Sequence, residues 1–205
     1  LRGVSHLLAV FIAAPAAVAL WAGAEGFAAR LGAVIFGTSL VALFAISAFY
    51  HRPTWGPRTR DLVGRLDQSA IFILIAGTYT PFGLLLNPES SHLLLGLIWA
   101  SALGGVVLSL TWPAAPKPFM AGIYVLFGWV FVTFVPSLLR TVGPGVLVLI
   151  VLGGLFYTIG AAVYALQRPN PFPRVFGYHE VFHLFVVAGA ALHFAAVSLT
   201  LSSLA

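Results

Sequence analysis

Apolar runs of roughly bilayer-crossing length alternate along this chain with short clusters of proline, glycine and charge. A helix that crosses the hydrocarbon of a membrane needs roughly twenty mostly apolar residues. Cutting at the clusters leaves seven such runs, at about 4–23, 31–51, 67–86, 92–111, 119–138, 145–166 and 177–203. The separators are "GAEGFAAR", "RPTWGPRTRDLVGR", "NPES", "WPAAPKP", "RTVGP" and "QRPNPFPRVF", and most carry proline or glycine where a helix should stop. The pattern predicts an all-α membrane protein, a seven-transmembrane helix bundle forming one domain over 1–205. The first run contains "AVALWAGA", with small residues at a cleavage-like spacing, but it is longer than a typical signal-peptide core and reads as a span. No internal repeat relates two halves, so a transporter built from similar halves is not expected.

Composition supports the membrane assignment. Hydrophobic residues make up 60% of the chain and charged residues 7%, against roughly 25% charged in a soluble domain. The net charge of +5 comes from bases lying singly in short loops. That is the signature of membrane orientation and anionic headgroups as partners, not of nucleic acid. With the N-terminus cytoplasmic, Arg2, Arg52, Arg58, Arg60, Arg65, Lys117, Arg168 and Arg174 fall inside, and only Arg30 and Arg140 outside. The positive-inside rule therefore predicts a cytoplasmic N-terminus and an external C-terminus. Cysteine is absent, so any metal must be held by His, Asp or Glu.

This topology gathers the chemically able side chains on the cytoplasmic side. His51 closes the second run, Asp67 opens the third, and His179 and His183 lie in the first turns of the seventh. Three helix ends distant in sequence thus bring three histidines and an aspartate to one membrane depth. Residues four apart share a helix face, with β-carbons about 5–6 Å apart, so His179 and His183 can share one cation. Interfacial histidines also simply snorkel. Ser47 and His51, in "SAFYH", repeat the spacing and put the hydroxyl one turn deeper on the same face. Small polar residues such as Ser47 also pack helix against helix in membranes. Asp67 and Glu180 suit helix starts, where the macrodipole favours acids, yet an ionisable group at the mouth of a bundle is a functional candidate.

Three neutral imidazoles and a water form a catalytic zinc set, with nitrogen at about 2.0–2.1 Å from the ion. Zinc can lower the pKa of water to about 7. Asp67 could then act as general base or ligate the ion itself. His179 to His183 also spell H-E-x-x-H, a zinc peptidase pattern. Metzincins continue H-x-x-G-x-x-H, whereas here Val186 stands at the glycine position and Gly189 at the histidine position. No acidic residue follows Glu180 to supply a downstream ligand. The peptidase match is read as accidental, and Glu180 as a helix-start acid. His6, in "VSH", lies at the depth of the site and could support it. His193 is fourteen residues beyond His179, about 21 Å along a helix, and is expected to line the interior rather than bind the same ion. His92, in the expected external loop, carries no assignment.

"SAFYH", "GRLDQSAIFILIAGTYTPF" and "HEVFHLFVVAGAALHF" closely resemble the hemolysin III family of bacterial membrane proteins, which belongs with the progestin and adipoQ receptors, including the adiponectin receptors. The likeness runs from "RGVSH" to the last span, on the motifs S-x3-H, an Asp sixteen residues on, and a late H-x3-H. By that resemblance His51, His179 and His183 would ligate zinc, Asp67 would reach the ion directly or through water, and Ser47 would lie beside that water. The resemblance also implies a transmembrane metal hydrolase of a lipid amide or ester, ceramidase-like, in a bacterial inner membrane. Adiponectin receptors have a neutral residue where this chain has Glu180, which leaves the role of that acid open. Two other functions fit the same likeness: a hemolysin-like protein that perturbs membranes, and a sensor in which zinc only staples helices together. Substrate identity and oligomeric state are not legible in the sequence.

Overall fold

The computed structural model describes residues 3–172 and 174–202, so Arg2 and the last residue of the expected final span lie outside the described residues. The described chain is all helical apart from one isolated bridge between Phe172 and Phe176. The helices are α1 (Val4–Ala22), α2 (Phe27–His51), α3 (Pro57–Gly83), α4 (Pro88–Thr111), α5 (Lys117–Gly128), α6 (Val135–Leu166) and α7 (Tyr178–Ser202), with a 3-10 turn at Val130–Phe134 between α5 and α6. Five stretches are long and apolar enough to cross a membrane: α1, α2, α4, the continuous Lys117–Leu166 segment, and α7.

Several boundaries differ from the sequence expectation, among them the end of the fifth run at Gly128 instead of 138, and two of the differences have local causes. The fifth and sixth runs are not joined by a loop at "RTVGP". Gly143 alone, at φ 76 and ψ 171, interrupts α6 with a kink before Pro144. Only glycine takes that backbone conformation without strain. The third helix begins at Pro57, ten residues before Asp67. Proline at the first helical position is favoured, and nothing in "RTRDLVGR" breaks the helix once it has started. Asp61 and Arg65 face each other one turn apart at 2.7 Å, and Arg65 also donates to the Leu110 carbonyl at the end of α4. Asp67 is therefore three turns inside α3, where a favourable first-turn dipole no longer accounts for it. His92 likewise lies within α4 and not in a loop.

Helix α7 touches α1, α2, α3 and α6, and α3 touches α2, α4, α5 and α7. Ala196 and Val197 of α7 are completely buried, as are Phe36 of α2 and Phe72 of α3. Large apolar side chains also point outward, among them Phe11, Ile12, Phe27 and Val148. An outward apolar face suits lipid, and it removes hydrophobic burial as the force that joins the helices. Close packing of small residues takes its place. At Gly32 an added Cβ would sit 2.9 Å from the Pro81 Cα, so α2 and α3 meet backbone to backbone.

This contact yields a paired prediction. Gly32→Ala should cost about 1–3 kcal/mol through overpacking, read as a lowered thermal midpoint in detergent. Gly96→Ala, where nothing lies within 4 Å of the new methyl, should leave the midpoint unchanged or raise it. Equal effects would mean that the α2–α3 contact does not limit stability.

Candidate metal centre

The cytoplasmic expectation concentrates interest on one end of the bundle, where α1, α3, α5 and α7 begin and α2, α4 and α6 end. His51 is the last residue of α2. The structure brings its Nε2 to 3.0 Å from the Nε2 of His179 in the first turn of α7. His183, one turn further along α7, completes the group. One ligand nitrogen from each of His51, His179 and His183 lies within 4.8 Å of the other two. Asp67 joins them from α3, with its Oδ2 3.8 Å from the His51 Nε2. Ser47, buried one turn below His51 on α2, lines the same cavity as Asp67 and the histidines.

These residues fit a metal ion. A tetrahedral ion with nitrogen at about 2.0–2.1 Å holds its ligand nitrogens roughly 3.4 Å apart, and the observed separations of 3.0 Å and at most 4.8 Å bracket that value. His183 is buried, and its Nδ1 has no hydrogen-bond partner among the described residues. A buried polar atom left without a partner is costly. Three imidazoles with no thiolate suit zinc among the first-row ions, with carboxylate-preferring cations disfavoured.

The supporting histidines separate. His6 stacks flat on His183, with ring centroids 3.9 Å apart and planes within 6°; it covers the cluster rather than extending it. His193 lies deep in the bundle, its Nε2 3.1 Å from the Ile150 carbonyl and its ring against Tyr157. Glu180 accepts from the Gly177 N–H at 2.8 Å. This is the returning half of a capping box, in which an acid three residues into a helix satisfies the backbone donor at its start.

Several residues that sequence reasoning passed over shape the site. Gly3 precedes α1 with φ 74, and a Cβ there would lie 2.8 Å from the His51 Cβ. The α1 entrance thus fixes the position of His51. Its only sequence signal was the glycine before "VSH". Tyr50, Tyr164 and Tyr178 ring the histidines, with centroid distances of 4.6 Å from Tyr50 to His51 and 6.1 Å from both Tyr164 and Tyr178 to His179. Tyr50 and Tyr178 adjoin His51 and His179 in sequence, but Tyr164 carried no signal.

The cluster opens into a polar cavity of about 290 Å³ that also contains Arg60, Gln68 and Lys117. Beneath it lies an apolar cavity of about 100 Å³ between α3, α5, α6 and α7. The two share Leu43, Ile71, Tyr124, Tyr164, Phe182 and Val186 as walls. His193 lines the deeper cavity.

Fold and site together define a multi-pass, all-helical membrane protein with a histidine cluster able to hold a metal at one end of its bundle. The chain matches the Haemolysin-III related family over residues 1–194 and belongs to it. It is 32% identical over 199 residues to the hemolysin-3 homolog of Bacillus subtilis (strain 168), covering 94% of this chain and 89% of that protein. It is 30% identical over 197 residues to hemolysin-3 of Bacillus cereus, covering 94% and 87%. The human monocyte to macrophage differentiation factor is 30% identical over 174 residues, covering 82% of this chain and 69% of that protein.

The Glu180 geometry separates capping from ligation. Glu180→Ala should lower thermal stability by about 1 kcal/mol, the usual scale for a lost cap, and leave the metal content of the purified protein unchanged. Loss of metal in that variant would instead place the carboxylate in the histidine cluster.

Proposed function

We propose that this protein is a zinc-dependent hydrolase of a lipid amide or ester, working at the cytoplasmic face of a bacterial inner membrane that the chain crosses seven times with its N-terminus inside. The observation that carries this function is the approach of Asp67 to the same His51 nitrogen that faces His179. A carboxylate and an imidazole cluster meet there at the mouth of an apolar cavity. His51, His179 and His183 would hold the zinc, which supplies Lewis acidity to polarise a carbonyl and acidify water.

The remaining chemistry belongs to the side chains. The apolar cavity takes an acyl chain, and the polar cavity takes the carbonyl and headgroup. Asp67 accepts the proton of the attacking water as its oxygen bonds to the carbonyl carbon, and Ser47 holds that carboxylate in place. As the C–N or C–O bond breaks, Asp67 returns the proton to the leaving amine or alkoxide. The products are a fatty acid and an amine or alcohol.

Purified protein should carry about one transition-metal ion per chain under non-chelating conditions, and His51→Ala, His179→Ala or His183→Ala should lose it. Asp67→Ala should keep the metal while fatty-acid release from a verified substrate falls by about 10²–10⁴-fold, the usual contribution of a general base. Full turnover in that variant would overturn the base assignment, and a metal-free wild type would overturn the hydrolase.

The names of the Bacillus relatives favour one alternative, membrane perturbation. Dye-loaded liposomes separate the two. Hydrolysis predicts that any leakage disappears in the triple His51→Ala, His179→Ala, His183→Ala variant. Leakage that persists at the wild-type rate would support a lytic function independent of metal.

A further inference from the structure

The polar cavity holds two cations that the hydrolase chemistry does not use. Arg60, in the first turn of α3, and Lys117, the first residue of α5, both line it together with the histidine cluster. Each is one aromatic ring away from a histidine of that cluster, and the two reach it through different helices. The Arg60 guanidinium lies 5.9 Å from the Tyr50 ring centre, and Tyr50 packs 4.6 Å from His51. The Lys117 Nζ donates to the Tyr178 hydroxyl at 2.8 Å and sits 5.2 Å and 5.6 Å from the rings of Tyr178 and Tyr164. Both tyrosines flank His179.

The disposition of the acids leaves these charges uncompensated. The chain has five acidic residues. Glu25 and Glu89 lie at the opposite end of the bundle, Asp61 pairs with Arg65, and Glu180 caps Gly177. Among the acids of the described residues only Asp67 faces the cavity, and it is engaged with His51. Lys117 also begins a helix whose first turn has no acid, where the macrodipole disfavours a cation. The same dipole favours an anion there. A negatively charged group placed between Arg60 and Lys117 would relieve all of these at once.

We propose, building on the lipid-hydrolase function above, that Arg60 and Lys117 form a phosphate-binding rim, so that the lipid taken by this site bears a phosphate on its headgroup. The tetrahedral group accepts from the guanidinium on one side and the ammonium on the other. Arginine and lysine both recognise phosphate, the first as a planar fork and the second as a point charge. Seating the phosphate at the rim sets the acyl carbonyl, a few bonds away, against Asp67 and the histidines. The acyl chain continues into the apolar cavity. A neutral lipid would leave both cations unmatched, so the rim also selects against it.

Binding, measured in detergent by native mass spectrometry, tests this without requiring turnover. Phosphatidic acid should bind at least tenfold more tightly than diacylglycerol with the same chains. The Arg60→Gln, Lys117→Gln double variant should lose that preference, since each charged hydrogen bond removed is worth about tenfold. Lys117→Arg on the wild-type background should keep it, as should Arg140→Gln, which removes a charge from the opposite end. Equal affinities for the two lipids in the wild type, or an equal loss in Arg140→Gln, would overturn the rim. Inorganic phosphate at millimolar concentration should not displace phosphatidic acid; displacement would assign the rim to free phosphate and overturn a lipid headgroup as its ligand. His179→Ala should lose metal yet keep the lipid preference. A metal-free wild type that still prefers phosphatidic acid would sink the hydrolase and leave the rim standing, whereas a metal-loaded wild type without the preference would sink the rim alone.

Discussion

Imidazole nitrogens do not settle 3.0 Å apart at the end of an apolar bundle unless they share something, either a proton or a cation. The contact between His51 and His179 ties the end of α2 to the start of α7. With His183 one turn deeper, a single shared proton cannot satisfy the group, whereas an ion with several open positions can. His183 is buried, and a buried polar group left unmatched would weaken the bundle. The helices around the cluster are arranged to make that match possible.

Their arrangement depends on close approach more than on hydrophobic drive, because the outer face of the bundle is as apolar as its interior. Gly3 brings the start of α1 against His51, and α1 in turn presses His6 flat on His183. Gly32 lets α2 meet α3 at Pro81, toward the end of the bundle away from the histidines. Helix α7 contacts four other helices, so its histidines sit where displacement of any neighbour would be felt. The site is thus a property of the packing as a whole, and the ion it can hold would in turn fasten α2 to α7.

The cavities below the cluster extend this logic toward a ligand. A polar chamber with cations at its rim and an apolar chamber beneath it has the layout of a phospholipid turned on end: charged head, carbonyl, acyl chain. The walls shared by the two chambers are aromatic and aliphatic, with Tyr124 and Tyr164 offering both an apolar ring and a polar tip at the boundary. The lining passes from polar to apolar from one chamber to the next, as the proposed hydrolysis of a lipid requires.

Much of this was legible in the chain itself. Hydropathic runs of bilayer length and punctuating prolines identified the helices, and the spacings of Ser47 to His51 and His179 to His183 placed those pairs on single helical faces, because helical periodicity is a local property. The reach of α3 back to Pro57 was less visible. Its first turns are charged and lack the apolar run that marks a span, although the i,i+4 pair of Asp61 and Arg65 favours a helix. The capping role of Glu180 was also hidden inside a motif that suggested metal chemistry, since a spacing does not say which way a side chain turns. Only the tertiary structure decided that His6 stacks on His183 instead of joining the cluster, that Gly3 seats His51, and that Tyr164 and Lys117, from helices with no recognisable motif, line the same cavity. Those facts depend on which helix lies beside which, and neighbours in a bundle are chosen by complementary shape across the interface, a quantity that no single stretch of sequence contains.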